Sequence, residues 1–326
     1  MAKKKRIGII ASGGDGSGMN ACIYYLSKFL IDGGYEPVYF ENGYEGIVNN
    51  KKVEMTLRDL RRFVYDGGCM IGAGRSAKYM TDEGRRMAVD TMNKENVECF
   101  IVIGGNGSIK GIVDGAEFGF RGIGIPATID NDAYYSDYAI GYDSAANANL
   151  NVIKSVKVSC FATNKLPIVE IMGRDCGKLT MTSAVGSGAD ICVVKEVPKT
   201  IDDICEEVRI LKKAGRSRIL IVIAEKNFDL QELAKRAGEA FDQDVRTFVS
   251  GYAQRGPDAS AFDRALAASL ASEAYKDVVE GKYNVTVGAN KSGTFSMCIK
   301  EAVFNTPATF NHCLYDTLFN IKKNYK

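Results

Sequence analysis

IVIGGNGSIKG, residues 101–111, is the stretch on which the reading of this chain turns. Ile101-Val102-Ile103 has the branched, apolar shape of a buried strand and leads straight into Gly104-Gly105. Asn106-Gly107-Ser108 follows where a helix should begin. A strand that ends in glycines at a helix start offers bare backbone N–H groups to a phosphate. Phosphoryl transfer also needs a cation, and a divalent cation prefers an ionised carboxylate. Here an asparagine stands at the turn.

The same grammar recurs outward in both directions. Strand-like runs fall at Arg6–Ala11, Pro37–Phe40, Cys99–Ile103, Gly122–Ala127, Leu166–Ile171, Ile191–Val194 and Ile219–Ala224. Helix-period stretches lie between them, at Met19–Ile31, Thr56–Tyr65, Arg85–Asn93, Ile109–Phe118, Ala145–Val156, Leu179–Val185, Ile201–Lys213 and Leu230–Phe241. Strand, glycine and helix repeated this often predict an α/β protein with largely parallel sheets and helices on both faces. A long helix at Ala261–Val279 and a β-like segment at Asn284–Phe304 close the chain. At 326 residues the chain is too long for one core, so two Rossmann-like units are expected. The second unit begins near the Asn-rich helix at Ser144–Asn151.

Composition excludes several classes. With 46% hydrophobic and 25% charged residues the chain reads as a soluble globular protein. Its apolar runs have strand length, far short of a membrane span. MAKKKR at the start reads as a solvated basic tip, and a net charge of +2 argues against a nucleic-acid binder. Nine cysteines without C-x-x-C spacing read as reduced thiols. His312 is the one histidine, so proton transfer falls to carboxylates.

In open parallel sheets the ligand lies beyond the carboxyl ends of the strands. GGDGSG, after the first strand, is neither a Walker loop nor a clean G-x-G-x-x-G, and alone is compatible with a tight turn. Two glycine-rich turns in one half-sheet favour a phosphate cradle. TIDND carries two carboxylates two residues apart. It reads either as a turn capped by its own Asx side chains or as a general base and a metal ligand on one loop. Arg174, Arg246 and Arg255, beside small residues or extended runs, are forks suited to a sugar phosphate and a transferring phosphoryl group.

GGDGSGMN, IGGNGS, PATIDND, IVEIMGR and YAQRG, in this order and spacing, resemble the 6-phosphofructokinase family over nearly the whole chain. The resemblance implies two α/β domains, residues 1–141 plus 254–304 binding nucleotide and 142–253 plus 305–326 binding sugar phosphate, with the active site in the cleft between them. It implies ATP-dependent phosphorylation of the C1 hydroxyl of fructose 6-phosphate in glycolysis, with Mg2+, in a homotetramer with shared active sites. Asp130 matches the base, Thr128 a residue holding the sugar and the reacting group, and Arg174 the cation facing the transferred phosphoryl. Met172, Gly173 and Glu225 match the sugar contacts, and Arg246 and Arg255 the 6-phosphate clamp, Arg246 reaching in from a neighbouring subunit. Gly14, Arg75, Gly107, Ser108 and Gly111 match the nucleotide site, and Asn106 with Asp132 the metal position.

The departures are specific. Asn106 replaces an aspartate near magnesium, Lys165 an arginine on the 6-phosphate, and Tyr252 a histidine there. Tyr24 replaces an arginine of the family's allosteric nucleotide site, while Lys28, Lys157 and Asp190 replace other members of that site with residues of related charge. In this family pyrophosphate users carry bulkier charged residues at the positions of Gly107 and Ala127; both are small here, which favours ATP. Two alternatives remain open: a catalytically weakened or regulatory paralogue, and a pyrophosphate-dependent enzyme.

Overall fold

A computed structural model of the chain describes residues 4–324. The start of the basic MAKKKR tip lies outside the described residues; Lys4 and Lys5 are exposed. The chain divides into two compact units, Met1–Ser144 with Arg255–Ala308, and Ala145–Gln254 with Thr309–Lys326.

The first unit holds strands β1 (Arg6–Ser12), β2 (Glu36–Phe40), β3 (Lys52–Val53), β4 (Ala73–Gly74), β5 (Val97–Gly104) and β6 (Gly122–Pro126). The second holds β7 (Leu166–Ile171), β8 (Ile191–Val193), β9 (Ile221–Ala224) and β10 (Val245–Val249), after which β11 (Val285–Asn290) and β12 (Gly293–Cys298) return to the first. Helices α1 (Met19–Asp32), α2 (Tyr44–Val48), α3 (Leu57–Arg62), α4 (Asp82–Lys94) and α5 (Asn106–Ala116) connect the early strands. They are followed by α6 (Tyr142–Ala162), α7 (Lys178–Ser187), α8 (Ile201–Lys213), α9 (Leu230–Phe241), α10 (Ala261–Glu280), α11 (Ile299–Phe304) and α12 (His312–Phe319).

In the first unit the sheet runs β12-β11-β6-β5-β1-β2-β3, with β4 alongside the end of β1. It is parallel at its centre and antiparallel only at its two edges, β2 with β3 and β11 with β12. β5 lies between β1 and β6 and is buried on both faces, which is why it reads as an unbroken apolar run. α1, α3 and α10 bury their apolar sides on one face; α2, α4, α5 and α11 cover the other. The second unit is a wholly parallel sheet, β10-β7-β9-β8, with α8 and α9 in its core. α3 and α8 each begin with a capping box, Thr56 with Asp59 and Thr200 with Asp203, which satisfies first-turn amides and fixes where the helix starts.

The expected β-like segment at Asn284–Phe304 fails at its end, where Ile299–Phe304 is helical. Ile299 and Ala302, three apart, bury one helical face, and α11 packs on α5. Arg246 lies inside β10, an edge strand whose last four residues are exposed, so alternation gave it no apolar face to announce. Arg255 follows a short 3-10 helix, Gly251–Gln254, and not an extended run.

Glu95, at the end of α4, ties three segments together: it accepts from Lys52 Nζ (2.6 Å), Asn50 Nδ2 (2.9 Å) and Arg6 Nη1 (3.2 Å). These bonds, that from Lys52 foremost, lower its pKa from 4.5 to about 2. A carboxylate depressed by folding stabilises above its unfolded pKa and loses that contribution as pH falls through the folded value. Between about pH 4.5 and 2, Glu95→Gln is therefore expected to lose less stability than the parent. Denaturant midpoints across that window check this; parallel curves would remove Glu95 from the acid response.

Candidate active site

The carboxyl ends of the three central strands of the first unit finish side by side. Ser12 pairs with Gly104, and Gly104 with Pro126. The loops at 13–18, 105–108 and 127–132 therefore leave the sheet together, and a cavity of about 690 Å3 opens where they do. Gly14, Gly107 and Ser108 line it with Asn106, Thr128, Asp130 and Asp132. Arg75, Gly111 and Arg255 line it as well. α5 starts at Asn106 with Gly105 as its N-cap and no side-chain cap, so its first amides and dipole face whatever anion sits there. A Cβ built on Gly107 meets no atom within 4 Å, so the space over that turn is open.

The carboxylate loop is held from within. Thr128 N–H donates to Ile140 O (3.0 Å), and Asp130 N–H donates to Thr128 Oγ1 (3.3 Å). Asn131, between the two acids, sits in the left-handed region at φ 51°, which asparagine tolerates. Its buried amide donates to Asp137 O (2.9 Å) and accepts from Ala139 N–H (2.8 Å). Asn131 is thus the turn-former of TIDND, and the flanking acids Asp130 and Asp132 both line the cavity.

Asp132 Oδ1 is buried without a hydrogen-bond partner among the described residues. Asn106 Nδ2 donates to Asp132 O at 2.9 Å. A carbonyl only accepts, so this bond points the amide nitrogen at the loop and leaves Asn106 Oδ1 as a further oxygen donor. An unpartnered carboxylate oxygen and an amide oxygen suit a magnesium ion, which uses one or two protein ligands beside waters and substrate phosphates. They also explain the asparagine: an aspartate here could not donate to the Asp132 carbonyl. Asn106→Asp is therefore expected to lower the melting temperature in EDTA, by setting carboxylate against carbonyl. It should also reduce the magnesium needed for half-maximal rate, with the sugar end unaffected. Unchanged magnesium dependence and unchanged EDTA melting would make residue 106 a turn-former alone.

Arg255 Nη1 donates to Asp15 O (2.9 Å), and its guanidinium lies over Gly14, where a Cβ would stand 2.6 Å from Nη1. The segment bearing Arg75 is pinned by Ser76, whose hydroxyl donates to Glu45 (2.5 Å) and accepts from Tyr79 N–H (3.1 Å). Tyr44 and Tyr79 stack at 3.9 Å beneath the cavity and donate to Ser108 O (2.8 Å) and Gly111 O (2.9 Å). Burial pushes the Tyr44 hydroxyl well above its usual range, so it stays a donor. Sequence reading missed Glu45, Ser76 and this tyrosine pair; no motif contains them.

In the second unit, Met172 and Gly173 follow β7, and Glu225 follows β9 with its N–H on Ile171 O (2.7 Å). Arg174 Nη2 and Nε hold Asp175 at 2.9 and 3.0 Å. Tyr252, 83% exposed, sits past the carboxyl end of β10, at the same end of the sheet. The Met172 turn is set by a buried network. Gln254 Oε1 accepts from Met172 N–H (3.2 Å) and from Asn149 Nδ2 (3.0 Å), and Asn149 Oδ1 accepts from the Ser250 hydroxyl (2.8 Å). The sequence marked this helix only as Asn-rich. Lys165 and Arg246 are elsewhere. Lys165 precedes β7, and Arg246 pairs with Pro167, so both stand at the amino end of the sheet, a six-residue strand (about 20 Å) away from Met172. Within one chain they do not join Met172, Gly173 and Glu225.

The phosphofructokinase family model matches residues 6–278. An ATP-dependent 6-phosphofructokinase of Clostridium tetani is 34% identical over 96% of this chain and 98% of its own length. A phosphofructokinase of Pichia pastoris, solved in the T-state, superposes with a TM-score of 0.86 at 25% identity, over 99% of this chain and 40% of its own. A pyrophosphate-dependent phosphofructokinase of Marinobacter aquaeolei, at 17% identity and TM-score 0.82 over 94% of this chain and 86% of its own, shares the fold.

Proposed function

As the chain belongs to the phosphofructokinase family, we propose that it transfers the γ-phosphoryl group of ATP to the C1 hydroxyl of fructose 6-phosphate. The observation that carries this reading is the open space over Gly107 at the amino end of α5, flanked by Asp130 and Asp132 in one cavity. Phosphates have a helix N-terminus to face, and an acid lies beside them to take a proton.

In the step itself, the C1 oxygen forms a bond to the γ-phosphorus while the bond from that phosphorus to the β–γ bridging oxygen breaks. ADP leaves with the electron pair, and the hydroxyl proton passes to Asp130. Thr128 holds the reacting end, and Arg174 meets the charge that builds on the transferred oxygens, an electrostatic role. Asp132 and Asn106 would hold magnesium, which would neutralise charge on the phosphates. Gly14, Arg75, Ser108 and Gly111 take the nucleotide; Met172, Gly173, Glu225, Tyr252 and Arg255 take the sugar phosphate.

The site is shared in this proposal. Lys165 and Arg246, standing together at the far end of the second unit's sheet, serve the 6-phosphate of a neighbouring subunit in a homotetramer, and the enzyme works in the cytoplasm. Among the described residues no helix is long and apolar enough to cross a membrane. The purified chain, assayed for fructose 1,6-bisphosphate with ATP, with pyrophosphate and without donor, is expected to form product with ATP alone. Product with pyrophosphate alone would transfer the reading to that donor, and none with either would leave a regulatory paralogue.

A further inference from the structure

We propose that Asp114 reads the base of the nucleotide, accepting a hydrogen bond from the exocyclic amino group of adenine; this rests on the ATP-dependent activity proposed above. The phosphates belong at the first turn of α5, beside Asn106 and Ser108. From Asn106 to Asp114 the helix rises eight residues, about 12 Å at its standard pitch. A nucleotide lying along the helix from that turn brings its base to the far end of the cavity, where Gly111, Lys110, Asp114 and Arg85 form the wall.

That wall is a built polar edge. Asp114 is only 21% exposed, and its carboxylate accepts from Lys110 Nζ at 2.7 Å on each oxygen. Arg85 Nη2 approaches it at 3.7 Å from α4, across the helix pair. Arg85 is in turn anchored by Asp82 (3.0 Å), and its Nε is buried without a hydrogen-bond partner among the described residues. A carboxylate has about four lone-pair sites, so the lysine does not exhaust it. An acceptor fixed beside a forked donor complements adenine, which presents an amino donor next to a ring-nitrogen acceptor. Guanine and hypoxanthine put a carbonyl oxygen where that amino group stands, and it would face the carboxylate. Neither the glycine-rich motifs nor TIDND involves this edge, and its residues come from two different helices.

The test compares kcat/KM for ATP and for inosine triphosphate, whose base carries oxygen in place of the amino group. The parent chain is expected to prefer ATP by at least ~10-fold, the scale of one hydrogen bond to a charged group. Asp114→Asn, whose amide can turn its NH2 to the carbonyl, should narrow that ratio about tenfold, and Asp114→Ala should narrow it as well. Circular dichroism checks that both fold. If the parent does not use ATP, the functional reading itself fails. If it does, but uses both nucleotides equally, or the ratio survives both substitutions, Asp114 does not read the base. Equal use of the two nucleotides by the parent overturns the assignment without any variant.

Discussion

Asp130→Asn is expected to cut turnover by about 10²- to 10⁴-fold, the range for loss of a general base. Two observations support Asp130 as the base proposed above. Asp130 lines the cavity in which the helix N-terminus and the open turn at Gly107 meet, and its N–H is fastened to Thr128. The single histidine, His312, opens α12 and is not among the residues lining the nucleotide cavity. Asn131 keeps the loop in shape whether residue 130 is Asp or Asn, so nucleotide binding should persist in the variant while the chemical step fails. ATP affinity by titration, set against kcat, separates these outcomes. Near-normal turnover in Asp130→Asn would remove Asp130 from proton transfer.

Gly104→Ala should be the most damaging small substitution near the site. A Cβ there would stand 2.4 Å from Ser12 O and 2.8 Å from the Ser108 side chain. Ser12 O belongs to the paired backbone of β1, and Ser108 lies in the first turn of α5, so neither yields as a flexible side chain would. The sheet or the helix start has to move. Overpacking of this kind costs about 1–3 kcal/mol, and misplacing reacting groups by about 1 Å can cost on the order of 10² in rate. Gly104→Ala is therefore expected to melt earlier and to bind ATP more weakly than the parent. Gly34→Ala, where a Cβ has open space, would be a poor control because φ is +84° there; Gly256→Ala, with open space and no left-handed φ, is the better one. Equal ATP binding by Gly104→Ala and the parent would show the cradle to be more plastic than these contacts allow.

Local pattern carried the fold far. The unbroken apolar run of β5 announced itself, and helices such as Ile201–Lys213 and Leu230–Phe241 begin and end where periodicity put them. What remained hidden was structure with no local signature. β10 is an exposed edge, and α11 continues an apparently β-like segment because its apolar residues are spaced three apart. At the site the loops were legible because two glycine-rich turns and a pair of acids follow strands of one half-sheet. Their supports were not: Glu45 and Ser76, the Tyr44–Tyr79 stack and the Asn149–Gln254 network join positions distant in sequence. The place of Asn106 was visible as a departure, but its reason, a bond to the Asp132 carbonyl, needed coordinates.

The most direct test of the account is a single turnover with ATP labelled at the γ-phosphate, fructose 6-phosphate and saturating magnesium, comparing the parent chain with Asp130→Asn. The account expects label to pass from ATP to C1 of fructose 1,6-bisphosphate in the parent and to stay on bound ATP in the variant. Label transferred equally by both proteins, or by neither while both bind ATP, would contradict it.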